Sequence, residues 1–227
     1  MNTTSNLWSA KTQTERPAWA KAVKLALDLH RHKYNMQKTY EIVYADPPWD
    51  YNGQSQHSGT QGILTGGAAT HYPTMTVDEM IKDIVVPGAD NSLLYMWTSS
   101  PHLPQAIKLG EGWGYDYATV AFVWHKGKTN PGFYTMSQCE LCLVFKRGKI
   151  PQPRGSRNTR QFLESARQQH SRKPDEIRQR IEKMHPTQTK YEMFARQVTP
   201  GWDCEGNQTN TFEYSTAFDR LFDKIDR

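Results

Sequence analysis

Residues 40–49 read YEIVYADPPW. Tyr40 to Ala45 is a short apolar run rich in β-forming residues, which reads as a buried strand. It must end at Pro47 and Pro48, because neither proline has an N–H to give to a sheet ladder. Asp46, Pro47, Pro48 and Trp49 therefore stand at the carboxyl end of a strand. The carboxylate and a proline carbonyl are acceptors with no competing donor, which suits them to grip a planar amino group. Two consecutive prolines stiffen the backbone that carries them, and the indole of Trp49 offers a face for a planar ring.

Outward from this stretch the chain alternates helical and strand-like segments. Upstream, residues 1–16 are polar, and Trp19, Val23, Ala26 and Leu27 recur at helical spacing between Pro17 and His30, so residues 1–39 read as an extension with one helix. Downstream, residues 52–73 are rich in Gly, Ser and Thr without a sustained period and read as a long mobile loop. Thr76 and Glu79 form a capping box ahead of a short helix. Strands are expected at 92–97, 117–124, 139–145 and 189–196, with a helix at 101–109 between the first two. His125, Lys126 and Gly127 are placed in a loop between the strands 117–124 and 139–145. Residues 146–172 are basic and broken by glycines and prolines, a second inserted loop. A helix then follows, with Pro174 suited to its first position and Ile177, Ile181 and Met184 on one face, and a last helix is expected at 214–225. The order favours an α/β domain over residues 40–227, with loops inserted at 52–73 and 146–172.

Composition narrows the class. The 227 residues carry a net charge of +5, and between Lys146 and Lys190 there are 13 Lys/Arg against 4 Asp/Glu. Such a basic stretch is what a polyanionic partner requires, although a merely solvated face would look the same. No run of eighteen apolar residues and no apolar leader is present, so a soluble, non-secreted cytoplasmic protein is expected. Cys139 and Cys142 make a C-x-x-C pair inside a strand-like run. A metal knuckle would need a turn there and two further ligands, so no metal is expected and the thiols are read as reduced.

Beyond D-P-P-W at 46–49, the chain carries H-Y-P-T-M (71–75), L-Y-M-W (94–97), W-H-K (124–126), E-x-C-L-V-F (140–145), S-R-K-P-D-E (171–176), Y-E-M-F-A-R (191–196) and G-N-Q (206–208). In this order the series resembles the MTA-seventy type of N6-adenine methyltransferases, which comprises messenger-RNA adenosine methylases and bacterial and phage DNA adenine methylases. The resemblance implies a Rossmann-like class I methyltransferase fold, a mostly parallel sheet flanked by helices, with permuted, beta-class-like motif order: the catalytic turn precedes the cofactor strand. It implies S-adenosyl-L-methionine as cofactor. A G-x-G-x-x-G segment is absent, which counts against a nicotinamide or flavin enzyme.

By the same resemblance, Asp46, Pro47 and Pro48 hold the target amine and Trp49 shapes the base pocket. Tyr72 and Glu140 join the substrate side on the same ground, Tyr51 and Lys126 join it by their places beside the turn and at a strand end, and the basic charge of 146–172 offers Arg154, Arg157 and Arg160 to phosphates. Asp28, Leu29, Asp46, Lys173, Arg196, Asn207 and Gln208 are the implied cofactor contacts. His125 reads as a loop or core histidine rather than a base. Two departures stand out. QVTPGWDCEG (197–206) lacks the P-H-N string of the messenger-RNA enzymes, so their histidine and asparagine contacts do not carry over, and the 52–71 interval is longer than theirs. The size fits a compact bacterial or phage enzyme of restriction-modification type, a monomer or homodimer with a heterodimer possible. DNA is the expected partner ahead of RNA, and a non-catalytic nucleic-acid-binding subunit is the reading from a different class.

Overall fold

The computed structural model describes residues 38–49, 74–130, 134–167 and 172–206. The elements are β1 (Tyr40–Ala45), α1 (Val77–Asp83), β2 (Gly88–Ser99), a 3₁₀ turn (Ser100–His102), α2 (Leu103–Gly112), β3 (Asp116–Asn130), β4 (Ser137–Arg147), β5 (Phe162–Glu164), α3 (Asp175–Met184), β6 (Lys190–Met193) and β7 (Asp203–Glu205). The expected helices at 17–30 and 214–225 and the loop at 52–73 lie outside the described residues.

The seven strands form one sheet in the order β5-β3-β4-β2-β1-β6-β7. β4 runs antiparallel to both neighbours and every other pairing is parallel, so the sheet is mostly parallel as expected. Its central strand shows why the fold forms. With a side-chain period of two, Val43 and Ala45 enter one core and Ile42 and Tyr44 the other, so both faces of β1 are covered. Met80 of α1 and Ala106 and Leu109 of α2 complete the first core. Ile177 and Ile181 of α3 cover the second, against Tyr95, Trp97, Phe122 and Trp124.

Local chemistry sets the helix ends. Thr76 accepts the Glu79 N–H through its hydroxyl at 3.3 Å while the Glu79 carboxylate takes the Thr76 N–H at 2.9 Å, the reciprocal cap expected. Gly110 is required by packing, since a Cβ there would lie 2.3 Å from the Phe145 ring.

Several expectations need correction. His125, Lys126 and Gly127 lie within β3, not in a loop, because β4 continues to supply backbone partners as far as Ser137. Gly127 takes a positive φ of 69° at a register shift, so the strand bends there instead of ending. The 92–97 strand begins at Gly88, whose partner is Tyr40. Pro174 is the N-cap of α3, with extended backbone, not its first helical residue. The 189–196 strand stops at Met193, where Phe194 turns to φ 60°. β5, inside the basic segment, and β7 were not anticipated: with three residues each they are too short to show a period.

Candidate active site

β1 has β2 on one side and β6 on the other, so the connections leaving the carboxyl ends of these strands diverge to opposite sides and open a crevice at that edge. Asp46 is the first residue beyond β1 at this point. The turn after it is held from three directions. The Trp49 N–H closes on the Pro47 carbonyl at 2.9 Å, the Met75 N–H reaches the Pro48 carbonyl at 2.9 Å, and the Trp49 indole N–H donates to the Trp97 carbonyl at 3.1 Å. Trp49 is buried, its ring stacked on His102 at 5.9 Å between centroids. Each proline carbonyl keeps one lone pair beyond its backbone partner.

An alternating charge chain crosses the crevice. Lys173, just ahead of α3, places its ammonium 2.8 Å from Asp46 Oδ2 and 3.3 Å from Glu140 Oε2. Lys126 lies 3.0 Å from Glu140 Oε1. Four residues from β1, β3, β4 and the approach to α3 are thus joined, and the antiparallel course of β4 is what brings Glu140 to this edge. Burial alone would lower the Lys173 pKa, but the Asp46 and Glu140 charges outweigh it and raise the value, so the ammonium stays protonated. Burial pushes Glu140 up, yet Lys173 and Lys126 together hold its carboxyl below the usual range.

A second buried ion cluster adjoins the first. The Arg178 guanidinium donates to both oxygens of Glu192 at 2.9 and 3.0 Å and to Asp175 Oδ1 at 2.9 Å. Burial raises the Glu192 pKa, with the nearby Asp46 and Asp175 charges adding to it, against the opposing Arg178. Glu192 pairs in register with Tyr44, whose hydroxyl accepts the Trp97 indole N–H at 2.6 Å. The sequence reading missed Asp175, Arg178 and Glu192 as site neighbours. A signal existed for Glu192, a charge within an otherwise buried strand.

Of the expected residues, Asp46, Pro47, Pro48, Trp49, Lys126, Glu140 and Lys173 are assembled at one edge. Arg196 is half-buried shortly after β6. Arg157 and Arg160 are exposed on a strip along the later turns of α3, where the Arg160 carbonyl accepts from Arg180 at 2.7 Å, while Arg154 is half-buried with its Nε enclosed. From Asp175 to Arg180 the axis of α3 advances about 7.5 Å, so this strip lies beyond the first turn of the helix, away from Lys173. His125 packs on Phe162, with Nδ1 3.3 Å from a Glu164 oxygen. Asp28, Leu29, Tyr51, Tyr72, Asn207 and Gln208 lie outside the described residues. The three cysteines are free thiols, and no cluster of metal-ligating side chains occurs among the described residues.

The family model described as MT-A70 matches residues 40–208, which takes in every strand of the sheet and the whole charge chain. The chain belongs to the MT-A70 family. It is 48% identical over 182 residues to the Type II methyltransferase M.MunI of Mycoplasma, covering 75% of this chain and 78% of that protein. It is 28% identical over 196 residues to the N(6)-adenosine-methyltransferase MT-A70-like protein of Arabidopsis thaliana, and 29% identical over 185 residues to the human N(6)-adenosine-methyltransferase catalytic subunit METTL3. Those matches take in 81% and 74% of this chain but only 26% and 28% of the plant and human proteins. As an MT-A70 domain the chain is a methyltransferase, and its sheet is the Rossmann-like methyltransferase fold. Asp28 and Leu29 fall before the matched span, whereas Asn207 and Gln208 close it.

A carboxylate and an ammonium paired at 2.8 Å give this edge one charge of each sign, able to meet a zwitterionic head group. Gly206, just past β7, packs against Ala195, just past β6, where a Cβ would lie 1.9 Å from the Ala195 carbonyl.

Proposed function

We propose that this MT-A70 protein transfers a methyl group from S-adenosyl-L-methionine to the exocyclic N6 amine of adenine in DNA, acting on a flipped or unpaired base in the cytoplasm of a bacterial cell or phage-infected host. The observation that carries this reading is the Asp46-Pro47-Pro48-Trp49 turn, clamped at the switch point of the sheet with Asp46 ion-paired to Lys173. The 48% identity to a type II methyltransferase favours DNA.

When bound, the donor supplies a methyl group on a positively charged sulfur. Asp46, Lys173 and Arg196, with Asn207 and Gln208 beyond Gly206, are the residues proposed to hold it. An adenine amine is a poor nucleophile because its lone pair is delocalised into the ring. With Lys173 on Oδ2, Asp46 offers Oδ1 to one amine hydrogen, and the Pro47 or Pro48 carbonyl offers its remaining lone pair to the other. Both contacts hold the nitrogen in line for attack. Methyl transfer from that sulfonium, which would leave as a neutral thioether, would place growing positive charge on the amine nitrogen. The Asp46 carboxylate stabilises it, and the surplus proton leaves toward solvent. No strong base is needed beforehand. Trp49 backs the turn, Glu140 and Lys126 fix Lys173, and Tyr51 and Tyr72 are assigned to the base pocket. Arg157 and Arg160, with Arg154 beside them, are assigned to phosphates flanking the target.

The test is incubation with labelled S-adenosyl-L-methionine and matched DNA and RNA pools, followed by nucleoside identification. N6-methyladenine in DNA is the expected product, and in Asp46→Ala the single-turnover rate should fall by about 10²–10³-fold or more. Label in RNA alone would assign the chain to the chemistry named for its plant and human relatives. Equal transfer by the variant would remove Asp46 from its role.

A further inference from the structure

Past the level of Ser99 and Glu164, only β3 and β4 continue among the described strands. The pair leaves the sheet as a two-stranded ribbon, exposed from Gly127 to Thr129 on β3, and Tyr134 to Met136, which lead into β4 at Ser137, are exposed as well. Its root is Lys126 and Glu140, the two residues tied through Lys173 to Asp46. Near the root, Gly127 and a register shift bend it, and nothing lies within 4 Å of where a Cβ on Gly127 would be. Toward its end, Tyr134 is 100% and Met136 57% exposed. From Glu140 to Tyr134 the backbone can reach about 20 Å from the crevice. No acidic residue occurs between His125 and Cys139, while Lys126 and Lys128 do.

Two large apolar side chains held out in water on a ribbon without acids do not make a protein interface. A standard one needs about 800 Å² on each partner, with a buried apolar centre. They do match the requirement of a duplex wedge, where one or two apolar or aromatic side chains enter a base step while neighbouring cations and hydroxyls meet phosphates. The target adenine must leave its stack to reach Asp46, and the stack it vacates must be kept open.

We propose that the β3–β4 ribbon is the duplex-opening element of this enzyme: Tyr134 and Met136 enter double-stranded DNA beside the target adenine, with Lys128 on the backbone, while the ribbon's root holds the amine-binding turn. The proposal rests on the DNA reading above and names the element that performs the flip.

The test uses the full chain, and a duplex carrying the methylated site mapped in the wild-type reaction, together with the same duplex bearing an abasic nucleotide opposite the target adenine. Tyr134→Ala combined with Met136→Ala should slow single-turnover methylation of the paired duplex by about tenfold or more and abolish the fluorescence rise of 2-aminopurine placed at the target. On the abasic duplex, where pairing no longer opposes extrusion, the rate should stay within about threefold of wild type. Both side chains are exposed, so the variant is expected to fold, with a thermal unfolding midpoint near that of wild type as the check. Equal losses on both duplexes, or no loss on the paired one, would overturn the proposal. So would a change of oligomeric state in sedimentation with the paired-duplex rate intact, which would make the ribbon a protein contact. If wild type methylates no DNA, the parent reading fails before any variant is made.

Discussion

Replacing Lys173 with methionine keeps much of the side-chain volume but removes the cation shared by Asp46 and Glu140. At an effective dielectric near 20, the 2.8 and 3.3 Å contacts are worth about 6 and 5 kcal/mol of Coulomb attraction. Most of that is offset by the cost of bringing the ammonium out of water, and removing one partner of a buried pair typically costs about 3–5 kcal/mol. Two features place this variant at the low end, near 3 kcal/mol at pH 8: Glu140 keeps Lys126 at 3.0 Å, and the Asp46 side chain is 24% exposed and can be rehydrated. The deficit should depend on pH. In wild type the lowered Glu140 pKa contributes stability above the ordinary carboxylate range and loses it as pH falls through the lowered value. The raised Lys173 pKa contributes below the ordinary lysine range and is lost only as pH rises through the raised value. Both contributions are therefore intact from mildly acidic to mildly alkaline pH. Without Lys173, only Lys126 opposes the burial of Glu140, so its pKa moves upward from the wild-type position and the deficit should narrow toward acid pH. Urea unfolding of both proteins at pH 8 and pH 5, followed by circular dichroism, reads both effects. A difference under about 0.5 kcal/mol at pH 8, the size of an ordinary surface substitution, or a gap that does not narrow at pH 5, would refute the reasoning.

Arg147 is buried over the Tyr115 ring at 4.0 Å and donates to the carbonyls of Gly88, Trp113 and Gly114. Arg147→Met should cost about 2–4 kcal/mol by stranding those acceptors, and hydrogen exchange should quicken first at the Gly114 turn. His185 is fully buried with Nε2 2.9 Å from the Tyr95 hydroxyl. Burial, helped by Arg154 and Lys190, depresses its pKa to about 4 from 6.5. The unfolded chain therefore binds more protons between these values, and stability should fall by about 2.5 kcal/mol from pH 7.5 to pH 4.5. His185→Gln should flatten that slope in urea unfolding; an unchanged slope would exonerate the histidine.

YEIVYADPPW carried its own reading, because a run of β-formers and two prolines act locally: they make a strand and stop it whatever surrounds them. The Thr76–Glu79 cap and the α3 face of Ile177 and Ile181 were legible for the same reason. The ordered motifs holding Asp46, Trp49, Lys126, Glu140 and Lys173 could be read as well, and they lie within the matched residues 40–208. Three-dimensional packing alone decided the rest. Whether His125 to Gly127 is loop or strand depends on the partner that β4 brings beside it, some dozen residues later in the chain. Glu140 reaches Lys173 only because β4 alone runs against the sheet, and Glu192 is a partner for Arg178 only because α3 lies across β6. Propensity, proline chemistry and periodicity are short-ranged, so they reveal which residues carry acceptors and charges and where strands must end. The tertiary structure decided which of those charges meet, because an ion pair between residues 46 and 173 depends on strand order and register that no local pattern encodes.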